Sequence, residues 1–444
     1  MKIDELKSLI ASAGVVGAGG AGFPTAFKLR DGIDKFIINA AECEPLIYTD
    51  YYLLKNSLNK VLKGAKAIMD ACGIPEGFMA VKQHTAARLS WTDGQKLTDG
   101  ISVHCLPDVY PMGDEIIMIY EVTGRIVPPG KLPGDVGCVV NNVETLYNVA
   151  NAMDNQPVTE KWVTINGDLT NKMMIGVPIG TPVIEIFDKL GIKVPEGDIV
   201  VDGGPAMGKP IDYKTAVITK TTKSLLILPD NIPCTASMLG DMRVTMTHAS
   251  SNCCSCTMCT ELCPRALIGY PLEPHKIVRS VTNRVTSNPQ DYLVATTCSG
   301  CGVCELSACC QGISPRKVYT AVKGELGRNR MRYVHPDDKP LQVMSERDNR
   351  MLPSTRFMQR IGVDKYDTVI PEFKAEVKID PTHISLALRQ HVGAPAAPNV
   401  KPGDSVKVGD IVGKAADGIS ANIHSSVNGV VESVDNGVVV IKRV

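Results

Sequence analysis

The chain lacks the features that attach a protein to nucleic acid or to a membrane. Its 444 residues balance 47 basic against 47 acidic side chains. No basic footprint therefore exists for a nucleic acid or an anionic lipid surface. No apolar run approaches the ~18 residues that a spanning helix requires. The opening Met1-Lys2-Ile3-Asp4-Glu5-Leu6 puts acids where a secretory signal needs a clean apolar stretch. These absences predict a soluble, cytoplasmic protein, so any membrane attachment would need a partner. Histidine is also scarce, with eight scattered residues and no assigned role; His248 alone falls near the cysteine-rich part. The apolar fraction of 44% is ample for buried cores, and the length suggests about three domains.

What the chain does have is cysteine, 15 in all. Cys253, Cys256, Cys259 and Cys263, followed by Pro264, read C-x2-C-x2-C-x3-C-P. That is the bacterial iron–sulfur run, whose fourth cysteine serves the other cluster in two-cluster proteins. Cys298, Cys301 and Cys304 repeat the triplet, with Cys309 and Cys310 following. Three thiolates two residues apart on a tight loop can all face one side of a cubane, and the fourth ligand must come from elsewhere. The expected pairing is therefore Cys253, Cys256, Cys259 and Cys309 on one 4Fe–4S cluster, and Cys298, Cys301, Cys304 and Cys263 on the other. Cys310 stands where such a run usually carries proline, so it competes with Cys309, which is preferred. Cys254 is left over. A disulfide framework suits small secreted domains rather than a long chain of this kind. Zinc ribbons pair two C-x2-C knuckles, not two triplets.

Taken in order, the chain begins with a short helix over 4–13, carrying Leu6, Leu9 and Ile10 at helical spacing. Gly17, Gly19 and Gly22 then satisfy G-x-G-x-x-G literally. The glycines follow a helix rather than a strand, and Pro24 interrupts the helix that a dinucleotide fold would open there, so the Rossmann reading fails. What survives is a loop whose backbone can approach a phosphate or a flat ring closely, with Lys28 as a nearby cation. Phe36-Ile37-Ile38 reads as a buried strand ending in Asn39-Ala40-Ala41-Glu42-Cys43-Glu44. A helix over 50–71, a strand near 78–82 and a helix over 114–122 follow. Val139-Val140 leads into the amide-rich junction Asn141-Asn142-Val143-Glu144-Thr145. Polar groups at the carboxyl ends of strands are where α/β folds place ligands.

The stretches GAGGAGFPTAFKL, INAAECEP, GDE and NNVETL, in that order, resemble the flavin- and NADH-binding subunit of respiratory complex I. They are similar also to its relatives, the C subunit of the Rnf complex and the cobalamin reductases of propanediol-utilisation microcompartments. The resemblance implies that Gly17, Gly19, Gly20, Lys28, Asn39, Asn141, Asn142 and Thr145 contact FMN. It implies that Phe23, Glu42, Glu44 and Glu115 line the NADH side, and that Gly113 and Asp114 of the GDE turn belong to the same cofactor site. Complex I has arginine in place of Ala18 and aspartate in place of Ala41, which implies looser phosphate or ribitol contacts here.

The expected fold is multidomain, α/β and α+β. A flavin/NADH-binding α/β domain covers 1–155, and a module over 156–232 resembles the SLBB β-grasp fold. A ferredoxin-like helical domain with both clusters covers 233–330, with residues 272–297 read as a returning helix and Thr-rich strands within 215–228. A linker over 331–370 leads to short valine strands and glycine turns over 371–444, which predict a small β-sandwich. That tail resembles the barrel-sandwich hybrid of biotinyl and lipoyl carriers but lacks the modifiable lysine, since Ser425-Ser426-Val427 occupies the hairpin tip. It is read as a structural or docking module, and its carboxyl-terminal position favours the cobalamin reductases. The glycine cluster Gly203–Gly208 is read as a turn. Arg265, Lys276, Arg279, Arg284, Arg316 and Lys317 near the clusters are read as surface charge.

A nicotinamide gives up two electrons as hydride, iron–sulfur clusters accept one at a time, and a flavin converts between them. No side chain is needed as nucleophile or general base. The resemblance implies a corrinoid acceptor, cob(III)alamin or cob(II)alamin, with an adenosyltransferase and microcompartment proteins as partners. No D-x-H-x-x-G stretch is present to ligate a corrinoid. Two other readings stand beside this one: an Rnf-type subunit exchanging electrons between NADH and ferredoxin, and an electron-transfer scaffold whose flavin site has decayed.

Overall fold

The strand Lys35–Ala40 sits inside a five-stranded sheet, and its sequence explains why. Phe36, Ile38 and Ala40 point to one face, Ile37 to the other, and all four are buried. A strand covered on both faces reads as a continuous apolar run rather than an alternating one. The sheet order is Lys96–Thr98, Ile101–Leu106, Glu76–Lys82, Lys35–Ala40, Cys138–Asn142, parallel except at the Lys96–Thr98 edge. One face carries the helices Ile3–Ser12, Thr49–Cys72 and Val143–Met153. The other face packs on the helix Glu115–Thr123 and on the cysteine-rich region, through Ile277, Val278, Val318 and Tyr319. The computed structural model describes residues 1–285, 287–336 and 338–444.

A second sheet of six strands orders Lys209–Ile211, Asp198–Asp202, Ser224–Pro229, Glu160–Gly167, Met173–Pro178 and Glu372–Phe373, with the helix Val183–Leu190 against it. Of the expected 215–228 strands only Ser224–Pro229 forms. Thr219 and Thr222 instead close a hydroxyl-linked turn, the Thr219 N–H donating to Thr222 Oγ1 at 3.1 Å. The threonines satisfy the backbone locally and so compete with a ladder.

The cysteine-rich region is built of short helices. The single helix expected over 272–297 is divided. Pro274–Thr282 ends at a turn with Arg284 at φ +54°, and Gln290–Leu293 restarts behind Pro289. Proline lacks the N–H that a continuous helix would need there. Part of this span, residue 286, lies outside the described residues.

Residues 331–370, read as a linker, are packed. Leu352–Pro353 pairs with Val109–Tyr110, and the helix Ser354–Ile361 buries Phe357 against Tyr110. The carboxyl-terminal strands form two sheets. One orders His383–Ala387, Val438–Arg443, Gly429–Asp435 and Ser405–Val406; the other orders Ala397–Pro398, Ile411–Lys414 and Ile423–His424. This sandwich rests on the glycine loop: the Val392 N–H donates to Gly22 O at 3.3 Å, and buried Lys220 bridges Gly14 O and Asn422 O at 2.7 Å each. Among the described residues no helix is long and apolar enough to cross a membrane.

Candidate cofactor and electron-transfer site

Two loops meet at the carboxyl edge of the first sheet. Asn39 and Asn142 are direct partners across adjacent parallel strands, as are Ile38 and Asn141. The glycine loop folds over this edge. The Gly17 N–H donates to Phe23 O at 2.9 Å, and the Ala18 N–H to Thr145 Oγ1 at 3.0 Å. Asn142 caps the following helix by accepting from the Glu144 N–H at 3.0 Å. A Cβ on Gly19 would lie 2.9 Å from the Asn142 side chain, whereas Gly20 faces open space. Buried Asn141 Nδ2 and Thr25 Oγ1 have no hydrogen-bond partner. An unpaired buried polar atom costs about 1–3 kcal/mol. These orphans, and a glycine cradle that a side chain would fill, fit a bound flavin at this edge. Thr25 was not singled out in the sequence; its place just after Phe23-Pro24 was the available signal.

The acidic residues are each engaged by protein partners. Glu42, at φ +31°, accepts from the Asp50 and Tyr51 N–H groups at 2.8 and 3.1 Å and so caps the helix Thr49–Cys72. Burial, then the neighbouring Asp50 charge, push its carboxyl up to about 7. Asp50 in turn holds Lys223 Nζ at 2.5 Å and Asn142 Nδ2 at 2.7 Å. Glu44 accepts from the Ala206 and Met207 N–H groups at 2.9 and 3.3 Å and from the Tyr110 hydroxyl at 2.8 Å; burial raises its carboxyl. The Gly203–Gly208 turn is therefore a joint between modules as well as a turn. Lys28 reaches Glu115 Oε1 at 3.2 Å and Val140 O at 2.8 Å, and Asn39 Nδ2 donates to Gly113 O at 3.0 Å. Phe23 is half-buried and Glu115 partly exposed.

Asp114 faces the cysteine region. It caps its own helix, accepting from the Ile116 N–H at 3.0 Å, and receives Arg265 Nε at 2.8 Å and Nη2 at 3.0 Å. Arg265 also donates to Thr297 O at 2.5 Å. Arg316 is likewise mostly enclosed, with its side chain 14% exposed, on Glu305 and Ala206 O. The surface-charge reading thus fails for these two. Each lies beside a cysteine run that packs on another module, so its charge is enclosed and needs a buried partner. Lys276 is an exposed partner of Glu273.

The cysteines gather into two cavities. One is lined by Cys253, Cys254, Cys256, Cys259 and Cys309, the other by Cys263, Cys298, Cys301 and Cys304. The first run thus lends Cys263 to the second cavity, and the second run lends Cys309 to the first. Exposed Cys310 does not line either cavity; its sulfur lies within 4.8 Å of those of Cys254 and Cys256. Backbone N–H groups approach the sulfurs, Gly300 to Cys298 Sγ at 3.3 Å and Ile313 to Cys309 Sγ at 3.4 Å. Burial, with the neighbouring Cys298 thiol adding to it, pushes Cys263 up to about 12. Burial, then the Cys309 and Cys253 thiols, push Cys259 up to about 12 as well. Thiols crowded in a dry cavity resist ionising, and a bound metal centre reverses that. The donor sets fit iron–sulfur clusters.

Comparison with known proteins agrees in class. The chain matches the Nuo51 FMN-binding domain over residues 10–151, a 4Fe-4S dicluster domain over 252–314 and the RnfC barrel sandwich hybrid domain over 372–443. A flavin domain and a dicluster domain on one chain define a flavin iron–sulfur oxidoreductase. Two full-length relatives are named Cobalamin reductase PduS. The protein from Salmonella typhimurium strain LT2 is 38% identical over 100% of this chain and 97% of its own length. That from Citrobacter freundii is 37% identical over 97% and 94%. The chain belongs to the PduS cobalamin reductase family. The C subunit of the Na(+)-translocating ferredoxin:NAD(+) oxidoreductase complex of Acetobacterium woodii is 33% identical over 60% of this chain and 58% of its own. Among solved structures, the NAD+-reducing NiFe hydrogenase in the H2-reduced state is 18% identical, with a TM-score of 0.42 over 76% of this chain and 64% of that one.

Proposed function

We propose that this chain is an NADH-dependent cobalamin reductase: NADH is the donor, FMN and two 4Fe–4S clusters are resident, and a corrinoid is the acceptor in coenzyme recycling. FMN and the clusters, when bound, supply the conversion of a two-electron donor into single electrons. The protein residues bind, orient and enclose. Gly17, Gly19, Gly20, Asn39, Asn141, Asn142 and Thr145 hold the flavin at the sheet edge, with Lys28 as the cation beside it. Phe23, Glu44 and Glu115 border the nicotinamide side, while Glu42 holds the helix and Asp114 the cysteine region in place behind it. Cys253, Cys256, Cys259 and Cys309 hold one cluster, and Cys263, Cys298, Cys301 and Cys304 the other.

The observation that carries this reading is the junction. The Cys298–Cys304 cavity is attached directly to the flavin domain, Tyr110 to Cys301 O at 2.7 Å and Arg265 to Asp114 at 2.8 Å. Direct attachment of a thiol-lined cavity to the flavin domain suits single-electron exit. Full-length similarity to cobalamin reductases, against partial similarity to the Acetobacterium woodii protein, supports the corrinoid as acceptor. A propanediol-utilisation microcompartment is the corresponding location, with an adenosyltransferase downstream. The test is an anaerobic NADH titration of reconstituted protein, followed by visible absorbance and electron paramagnetic resonance, and then addition of cobalamin. Flavin bleaching, cluster signals and cob(II)alamin formation are expected. Clusters that NADH leaves oxidised would overturn the reading, and cob(III)alamin left unreduced by reduced protein would overturn the acceptor.

A further inference from the structure

Tyr110 is among the largest fully enclosed side chains of the molecule, at 2% exposure, yet its hydroxyl is fully engaged. Its single proton is shared between two acceptors, Glu44 Oε1 at 2.8 Å and Cys301 O at 2.7 Å. The ring lies flat on Phe357, with centroids 3.9 Å apart and planes 10° from parallel. Glu44 is itself held by the Ala206 and Met207 N–H groups. One phenol thus joins the flavin domain, the β-grasp turn, the 352–361 segment and the cysteine loop.

The cysteine loop needs that support. Gly300 and Gly302 flank Cys301 with φ of +78° and +81°. Glycines on both sides leave the peptide at Cys301 little stiffness of its own. Its position is set from outside, and the contact from the flavin side is the Tyr110 hydroxyl. The orientation of a cluster ligand and the hydrogen bonds around it are the protein's levers on cluster potential. We infer that Tyr110 is a positioning residue for the cluster held by Cys263, Cys298, Cys301 and Cys304, its hydroxyl fixing the Cys301 peptide against Glu44 and so setting the potential of that cluster alone. This rests on the proposal above that these cysteines hold a cluster.

The experiment is a redox titration of anaerobically reconstituted full-length protein, followed by electron paramagnetic resonance, with iron and FMN content measured in parallel. Wild-type protein without two cluster signals would refute the underlying reading, independently of Tyr110. Given both signals, Tyr110→Phe keeps the ring on Phe357 and removes only the hydroxyl. Iron and FMN content are expected unchanged, and one midpoint is expected to fall by about tenfold in the one-electron equilibrium, ~59 mV, while the other stays. Phe357→Leu removes the stacked ring but leaves the hydroxyl, and is expected to leave both midpoints in place. Unchanged midpoints in Tyr110→Phe, equal shifts of both clusters, or the same shift in Phe357→Leu would each overturn the inference. If Tyr110→Phe fails to take up iron, Glu44→Gln carries the test: a shift confined to the same cluster supports it, and none overturns it.

Discussion

Replacing Asp114 by asparagine removes one charge from the joint between the flavin domain and the cysteine region and little else. Asparagine caps a helix about as well as aspartate, so the bond to the Ile116 N–H survives. What is lost is the partner of Arg265, whose side chain is 18% exposed against 4% for Asp114. Removing one member of a buried ion pair costs about 3–5 kcal/mol, because the remaining charge is stranded. That corresponds to roughly a 10²–10⁴-fold rise in the population of open junction. The Thr297 carbonyl stays bonded to Arg265, which places the effect nearer the lower figure. Asp114→Ala adds the loss of the cap, a further ~1 kcal/mol. Native-state hydrogen exchange reads the opening directly, because each amide reports its local unfolding free energy. Peptides covering 109–123 and 263–298 should exchange faster by that factor in Asp114→Asn, while peptides covering 160–178 stay unchanged. Equal protection at the junction in the variant and the parent would refute the argument that a charge pair holds these modules together.

Cys309→Ser should lose the cluster it shares with Cys253, Cys256 and Cys259, about half the iron per chain, while Cys310→Ser retains all of it; iron assay and electron paramagnetic resonance distinguish the two. Gly19→Ala should weaken FMN retention because its Cβ meets Asn142 at 2.9 Å, and Gly20→Ala should retain more flavin because that position is open; FMN released per chain is the measurement. Burial, then Lys220, hold His424 down to about 3 from its ordinary 6.5. The unfolded chain therefore takes up a proton below pH 6.5 that the folded chain refuses, so stability is complete above 6.5 and falls as pH drops toward 3. At about 1.4 kcal/mol per pH unit, the loss between pH 6.5 and 5 is roughly 2 kcal/mol. It should appear in thermal melts of the carboxyl-terminal module and flatten in His424→Leu.

Much of this protein is written locally. The cysteine spacing alone announces two clusters, because cubane geometry demands thiolates at short, regular intervals. The run Phe36-Ile37-Ile38 announces a strand covered on both faces, and the order of the glycine, acidic and amide stretches announces a flavin domain. Even the crossing of Cys263 and Cys309 between cavities follows from a triplet needing a distant fourth ligand. The tertiary structure decided what these residues meet. Glu42 and Asp114 read as cofactor contacts because their positions in the motifs are right; only the fold shows that one also caps a helix and the other secures Arg265. Arg265 and Arg316 look like ordinary charge in sequence, and only packing encloses them. Tyr110 carries no motif signal of its own, and its partners Glu44, Cys301 and Phe357 lie in separate modules. Such contacts bring together residues far apart in the chain, and no local pattern records which side chain will close that distance.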